Sequence, residues 1–347
     1  MMNYDSTHNR VTVLMPVYNG EQHLDEAIES ILAQTFTDFE FLIVNDGSTD
    51  RSAEVIGAFR DPRIRLVHNE TNLGLIATLN RGLELAAGEY VCRMDQDDIS
   101  LTERIACQVA FMESHPDIAV CGTWIRKFGV GNTKVCRHHG DPKLLQCGLL
   151  FGPILAHPTV MFRRKLFIDN GLYYDMAYQQ AEDYELWVRA AQRLKMGNIP
   201  EVLLNYRLHP TQISSVFNAQ QLETAGRVRL SILNNLGLNP STSDFETHQR
   251  LSAFLVNGDR DFFSKADDWL CRLKEANDKV KVYSEPHFSM VLTERLVTLL
   301  KKMLEQKTIP KGFLLRPNLF QMTGLGWVST LRFILQTFRG EVVIKND

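Results

Sequence analysis

The 347-residue sequence is short of several things, and each shortage removes a class of protein. It has 6 cysteines (Cys92, Cys107, Cys121, Cys136, Cys147 and Cys271) and no Cys-x-x-Cys pair, so a zinc site is not expected. Thiols this sparse do not make a disulfide scaffold either; they read as free thiols of a reducing compartment. Charge of one sign is also lacking: 38 Lys and Arg meet 41 Asp and Glu, a net charge of −3. That is not the broad basic field of a nucleic-acid binder. No apolar run follows Met1, which argues against secretion and for a cytoplasmic location. Two uncharged stretches resemble membrane spans without qualifying. Residues 144–162 are broken by Gly148, Gly152, Pro153 and Pro158, and residues 317–331 end at Arg332 before a spanning length is reached. There is no internal repeat and no low-complexity tract.

What is present is an ordinary globular composition, 44% apolar and 23% charged, long enough for about two domains. The first 120 residues have a rhythm. Runs rich in β-formers at 12–15, 40–44, 64–67, 90–94 and 118–121 start 28, 24, 26 and 28 residues apart. Helical patterns fill the gaps: Leu24, Ala27, Ile28, Ile31 and Leu32, then 53–59, 76–86 and 102–113. The expectation is α/β, with βαβ units and a mostly parallel sheet flanked by helices. From residue 120 to about 217 the pattern loosens, with strands expected at 123–128, 159–162 and 202–206 and a helix at 183–194. From residue 220 on it is helical, so a boundary is placed between 217 and 218.

Ligands of parallel sheets sit beyond the carboxyl ends of the strands, and here those ends are polar. Asp95-Gln96-Asp97 places two carboxylates one residue apart after a buried strand, which suits an all-oxygen Mg²⁺ or Mn²⁺ site. The alternative is an acidic turn in which Asp98 or Ser100 caps the next helix. Asn45-Asp46-Gly47-Ser48-Thr49-Asp50 offers Asp46 to a base or ribose, or else is a turn whose Ser48 or Asp50 caps a helix. Tyr18 stacks on a base or simply packs. Glu182-Asp183 opens a helix. It offers Asp183 as a general base, or merely complements the helix dipole. His209 and His157, taken singly, read more readily as surface or packed side chains than as ligands.

These pieces in this order resemble the inverting family 2 glycosyltransferases, whose fold is the Rossmann-like GT-A arrangement. The carrying residues are Val13-Leu14-Met15-Pro16-Val17-Tyr18-Asn19-Gly20, Asn45-Asp46-Gly47-Ser48-Thr49-Asp50, Asn72-Leu73-Gly74 and Asn80-Arg81-Gly82. Gly88-Glu89-Tyr90 leading into Asp95-Gln96-Asp97-Asp98 follows, then His157-Pro158, Glu182-Asp183-Tyr184-Glu185-Leu186-Trp187 and Tyr206-Arg207-Leu208-His209. The resemblance spans residues 10–216. It implies a nucleotide-sugar donor, by default a UDP-sugar, bound through Pro16, Tyr18, Asp46, Asn72, Arg81 and Asp95. It implies Mn²⁺ or Mg²⁺ held by Asp97 with Asp95 and His209, and Asp183 as the base with Glu182 in support. Residues 1–217 become the catalytic domain, with 10–98 the donor half and 99–217 the acceptor side, and 218–347 a mainly helical appendage. The acceptor implied is a saccharide or lipid-linked saccharide of cell-surface polysaccharide synthesis.

No QxxRW-type motif of processive relatives accompanies Trp124, Trp187, Trp269 or Trp327, so one sugar or a few are added. A sugar-nucleotide pyrophosphorylase would carry a Gly-rich, Arg-containing loop where Pro16-Val17-Tyr18-Asn19-Gly20 stands. A non-catalytic sugar-nucleotide-binding scaffold would have no need of both Asp97 and Asp183. From residue 290 on, nine Lys/Arg face four acids, a net +5, among apolar residues such as Trp327 and Phe333. Peripheral contact with an anionic membrane is one reading; an appendage packed on the catalytic domain or on a second subunit of a homodimer is the other.

Overall fold

The computed structural model describes residues 9–209, 218–256 and 261–306. The basic, apolar end from 307 onward, including 317–331, lies outside the described residues. The chain forms two compact units: residues 1–140 with 154–224, and residues 141–153 with 225–347.

The first unit is built on a nine-stranded sheet. Strands β1 (Val11–Val17), β2 (Phe39–Asn45), β3 (Ile64–His68) and β4 (Tyr90–Arg93) run parallel in the order β3-β2-β1-β4. β1 is buried at all seven positions, the pattern of a strand covered on both faces. Helices α1 (Leu24–Leu32), α2 (Ser52–Ala58) and α3 (Leu75–Leu85) make the crossovers. The apolar stripe of α1 is its buried face: Leu24, Ala27, Ile28 and Ile31.

The rest of the sheet mixes directions. The short β5 (Ile99–Ser100) and helix α4 (Arg104–Ser114) lead into β6 (Ile118–Gly129) and β7 (Lys134–Cys136). β8 (Met161–Arg163) is antiparallel to β4 and to β6. β9 (Lys195–Leu208) runs parallel to β6 and antiparallel to β5. The expected strands at 118–121 and 123–128 are one twelve-residue strand, because irregular register around Trp124 keeps the ladder going. β9 begins at Lys195, seven residues before the expected start at 202, since its first half is buried beside β6. The expected cap of α4 is not there. Ser100 belongs to β5, and Asp98 accepts a hydrogen bond from Arg207 N–H.

The second unit is helical. α5 (Pro142–Gly148) joins α9 (Thr242–Ala253), α10 (Phe262–Val280), α11 (His287–Glu305) and the part of α8 (Asn218–Asn235) from residue 225 on, while α6 (Arg164–Asp169) and α7 (Glu182–Ala190) belong to the first unit. His248 explains why residues 141–153 fall here. Its Nδ1 accepts from Trp269 Nε1–H at 3.0 Å, so its Nε2–H donates to the carbonyl of Leu150 at 3.0 Å. Burial pushes this imidazole down to about 3, which keeps it neutral in that double role. Among the described residues, no helix is long and apolar enough to cross a membrane.

Candidate active site

The site grows from the register of the parallel strands. Val17 pairs with Asn45 and Asn45 with His68, so β1, β2 and β3 end level. β4 stops lower, with Arg93 opposite Leu14. The chain leaving β4 therefore climbs past β1, and Asp95, Gln96, Asp97 and Asp98 are delivered beside Tyr18.

Gln96 makes the joint. Its Oε1 accepts from Tyr18 N–H at 2.8 Å, and its Nε2 donates to the Tyr18 carbonyl at 3.1 Å. A Cβ on Gly20 would stand 2.6 Å from the Gln96 carboxamide, so glycine leaves the space this joint needs. The loops after β1 and β2 are laced in the same way. Asn19 N–H donates to Ser48 Oγ at 3.0 Å, Thr49 N–H to Asn19 Oδ1 at 2.9 Å, and Gly20 N–H to Ser52 Oγ at 2.9 Å. The N-cap position of α2 is Arg51, which makes no side-chain cap; Asp50, one of the two caps expected from the sequence, lies one residue earlier and accepts from Ser52 N–H at 2.9 Å. Tyr18 itself is 43% exposed. Pro16 is buried within β1, paired in register with Val44, and shapes the strand end.

Asp46 is buried and already employed. Oδ1 accepts from Asn69 Nδ2 at 2.6 Å and Leu73 N–H at 2.9 Å, and Oδ2 from Gly74 N–H at 2.9 Å. The carboxylate thus holds the loop containing Asn72, whose own side chain accepts from Gly74 N–H. Gly47 lets the backbone approach: its φ is +67°, and a Cβ would lie 2.6 Å from the Thr71 carbonyl carbon. Arg81 joins the same group, donating to Asn69 Oδ1 and to the His68 carbonyl.

The acidic cluster is different. One carboxylate oxygen from each of Asp95, Asp97 and Asp98 lies within 4.8 Å of the others. Arg93, buried beneath, grips Asp95 with both terminal nitrogens at 2.7 and 2.5 Å. Even so, burial pushes Asp95 up to about 6, Arg93 opposing and Asp97 reinforcing the shift. Burial, with Asp95 and Asp97 alongside, lifts Asp98 well above the usual carboxylate range. Asp98 Oδ2 is buried and has no hydrogen-bond partner among the described residues. A buried, unsatisfied oxygen among converging carboxylates fits a hard divalent cation, whose charge would remove the repulsion. His209 reaches the cluster through Nε2, 2.8 Å from Asp97 Oδ2. Arg207 fixes the loop from β9: its N–H donates to Asp98, its Nε to the Asp97 carbonyl at 2.8 Å, and its Nη2 to Glu26 at 2.6 Å.

Glu182 and Asp183 form the first turn of α7. Burial, then the charge of Asp183, pushes Glu182 up to about 7, and burial raises Asp183 while Tyr184 N–H and Arg93 pull it down. The guanidinium that holds Asp95 therefore also acts on this pair. Tyr174 lies in the same field, and its hydroxyl hydrogen-bonds His157 Nε2 at 2.9 Å. His157 is thus a buried group behind the site, held below its ordinary pKa by burial and by Arg93.

Sequence reasoning missed four residues here. Gln96 was passed over as the spacer between two acids, Asp98 as a cap, and Arg207 as part of a motif. Arg93 had a usable signal: a cation on a buried strand two residues before an acidic run demands a partner.

The comparisons decide the family. Residues 12–171 match Glycosyl transferase family 2. An uncharacterized glycosyltransferase of Haemophilus influenzae is 33% identical over 248 residues, covering 66% of this chain and 76% of that relative. The chain belongs to glycosyltransferase family 2. This glycosyltransferase is also 35% identical over 206 residues to the putative glycosyltransferase EpsE of Bacillus subtilis, covering 57% of the chain and 73% of EpsE. It is 33% identical over 210 residues to the amylovoran biosynthesis glycosyltransferase AmsE of Erwinia amylovora, covering 56% and 75%. Its fold matches that of S. aureus TarS 1–349 in complex with UDP-GlcNAc, at a TM-score of 0.57 and 18% identity over 97% of this chain and 94% of TarS 1–349. It also matches the mannosyltransferase PcManGT of Pyrobaculum calidifontis, in complex with GDP-Man and Mn²⁺, at 0.53 and 16% over 98% and 89%. The fold is the GT-A arrangement expected from the sequence.

Proposed function

We propose that this glycosyltransferase moves one sugar from a nucleotide-diphosphate donor, by default a UDP-sugar, to a hydroxyl of a saccharide or lipid-linked saccharide, with inversion at the anomeric carbon. The carrying observation is the convergence of three carboxylates beside Arg93, whose charge also acts on Glu182 and Asp183. Relatives and fold neighbours support the reading: AmsE is named for amylovoran biosynthesis, and the solved neighbours are complexes with UDP-GlcNAc or GDP-Man.

Asp97, Asp98, Asp95 and His209 would hold Mn²⁺ or Mg²⁺, which when bound supplies positive charge against the departing diphosphate. Arg93 keeps Asp95 oriented, and Arg207 keeps Asp97 and Asp98 in place. Tyr18 offers its exposed ring to the base. Asp46 keeps a lone pair on Oδ2 for the base or ribose, while its other contacts set Asn72 and Arg81 toward ribose or diphosphate. Asp183 takes the proton of the acceptor hydroxyl, and Glu182 beside it maintains a basic carboxylate pair. The oxygen so exposed attacks the anomeric carbon opposite the diphosphate, and one displacement inverts it. Alignment and leaving-group electrostatics account for most of the acceleration. In this reading residues 10–98 are the donor half and 99–217 the acceptor side of a catalytic domain, 1–217, and residues 218–347 have no assigned chemistry.

The test is donor hydrolysis with and without Mn²⁺ in the wild type and in Asp183→Asn. Metal-dependent turnover that Asp183→Asn abolishes, with donor binding kept, is the expected result. Equal, metal-independent rates in both proteins would overturn it.

A further inference from the structure

Asn80 stands beside Arg81 in α3 and has no part in the chemistry above. Its carboxamide is spent on one distant residue. Nδ2 donates to the Tyr174 carbonyl at 2.8 Å, and Oδ1 accepts from Tyr174 N–H at 2.9 Å, across 94 residues of sequence. Two bonds to the main chain of one residue fix both its place and its orientation.

Tyr174 is a strategic residue to hold. It is buried, and its hydroxyl bonds His157 Nε2. Burial chiefly, then the charges of Asp183 and Glu182 against that of Arg93, push this hydroxyl up, so the acids of α7 are electrostatic neighbours. Both ends of α7 also come back to residues 173 and 174. Only seven residues, 175–181, separate Tyr174 from Glu182, and they are bonded among themselves. Asp175 Oδ1 accepts from Ala177 N–H at 2.9 Å, and Ala181 N–H donates to the Tyr178 carbonyl at 3.0 Å. Near the other end of α7, Arg189 Nη2 donates to the Tyr173 carbonyl at 2.5 Å while Glu185 holds the same guanidinium. A helix moored fore and aft on residues 173 and 174 moves with them, and Glu182 and Asp183 are its first turn.

Arg81 faces elsewhere. Consecutive helical residues point about 100° apart, so Arg81 reaches the loop after β3, donating to Asn69 Oδ1 and the His68 carbonyl. Asn69 in turn donates to Asp46 at 2.6 Å. One turn of α3 thus holds the donor half with one side chain and the approach to α7 with the next.

We propose that Asn80 is a positioning residue: by clamping Tyr174 it sets where Asp183 stands relative to a donor held on the Arg81 side of the same helix. The inference rests on the glycosyl-transfer reading and deepens it. Displacement at the anomeric carbon needs base, attacking oxygen and carbon in one geometry, and a misplacement of about 1 Å costs on the order of 10²-fold. Asn80 acts through Tyr174 rather than on the nucleotide, so its loss is read in rate and not in donor binding.

The experiment is steady-state, Mn²⁺-supported hydrolysis of UDP-GlcNAc and GDP-Man by the full chain, read on whichever the wild type turns over faster. Asn80→Ala is expected to lower kcat about tenfold or more, with donor KM and the calorimetric Kd of the matching nucleoside diphosphate within about twofold of wild type. Met112→Ala, a cavity in the core at the end of α4 remote from the acidic loop, is the stability control: it lowers Tm at least as far and keeps the wild-type kcat. Asn80→Ser, small enough to admit a water between itself and Tyr174, carries the same expectation should the alanine protein not fold. A wild-type kcat in the Asn80 variants would overturn the proposal. So would equal losses of kcat in the Asn80 and Met112 variants, since the rate would then follow stability, or a raised KM at unchanged kcat, since the clamp would then serve donor binding. Absence of hydrolysis of both donors in the wild type would overturn the transfer reading instead, and the positioning role with it.

Discussion

Asp46 and Asp98 are the same residue type at the same edge of one sheet, with exposures of 3% and 1%. Three donors serve Asp46, and no other carboxylate is in its hydrogen-bond group. Among the described residues, Asp98 has one donor for Oδ1, none for Oδ2, and two further acids within 4.8 Å. Burial alone does not separate architecture from chemistry; satisfaction does. A carboxylate served by three donors, two of them backbone N–H groups, closes a loop, and one left short among its own kind is shaped for a cation.

The contrast is sharpest in turnover. Asp183→Asn and Asp97→Asn are each expected to lower donor turnover about 10²–10⁴-fold, read from steady-state kinetics, while the unfolding midpoint stays near wild type. Asp46→Ala should do the opposite kind of damage. Leaving three buried donors without their acceptor is expected to cost about 3 kcal/mol in urea unfolding. An Asp46→Ala protein as stable as wild type would break the comparison.

Cation binding comes next. At 100 times its Kd, Mn²⁺ should stabilise the protein by about 2.7 kcal/mol at pH 8, seen as a raised Tm. The gain should shrink at pH 5, where Asp95, at about 6, is mostly protonated and protons compete with the ion. Without cation the sign reverses. Asp95 and Glu182 hold protons more tightly folded than unfolded, so their contribution to stability is full below about pH 4. It is lost as pH rises through about 6 for Asp95 and about 7 for Glu182. Buried neutral His157 and His248 pull the total the other way below about pH 6.5, so the check is a difference: metal-free Asp95→Asn/Glu182→Gln should gain stability relative to wild type as pH rises from about 5 to about 7.5, and an unchanged difference would contradict the crowding described here. The smallest effect is the most discriminating: Asp98→Asn should gain about 1 kcal/mol without cation and lose most of the Mn²⁺ increment.

The parallel half of the fold was legible because βαβ units write themselves locally, in strand starts at even pitch and in the stripe of α1. The acids of the site were legible because a run such as Asp95-Gln96-Asp97-Asp98 has few structural uses. What could not be read was long-range pairing. Nothing near Asp98 announces that Arg207, 109 residues later, will supply its hydrogen bond, so a helix cap looked equally good. Nor does the 141–153 segment carry a local sign of His248. Its apolar run suits any interior, and only tertiary structure chooses which. The even pitch fails beyond residue 120 for the same reason, since antiparallel β8 and the long β9 are set by their neighbours.

Gln96 has one more consequence. Because its carboxamide grips residue 18 through both the N–H and the carbonyl, that stretch of main chain cannot rotate without losing two bonds together. The aromatic platform and the acidic claw therefore travel as a single jaw. On the proposed chemistry, swapping one nucleobase for another is never a local adjustment: any tilt of the platform is handed on to the groups that seat the ion, so taste for the nucleotide and readiness of its diphosphate are mechanically geared.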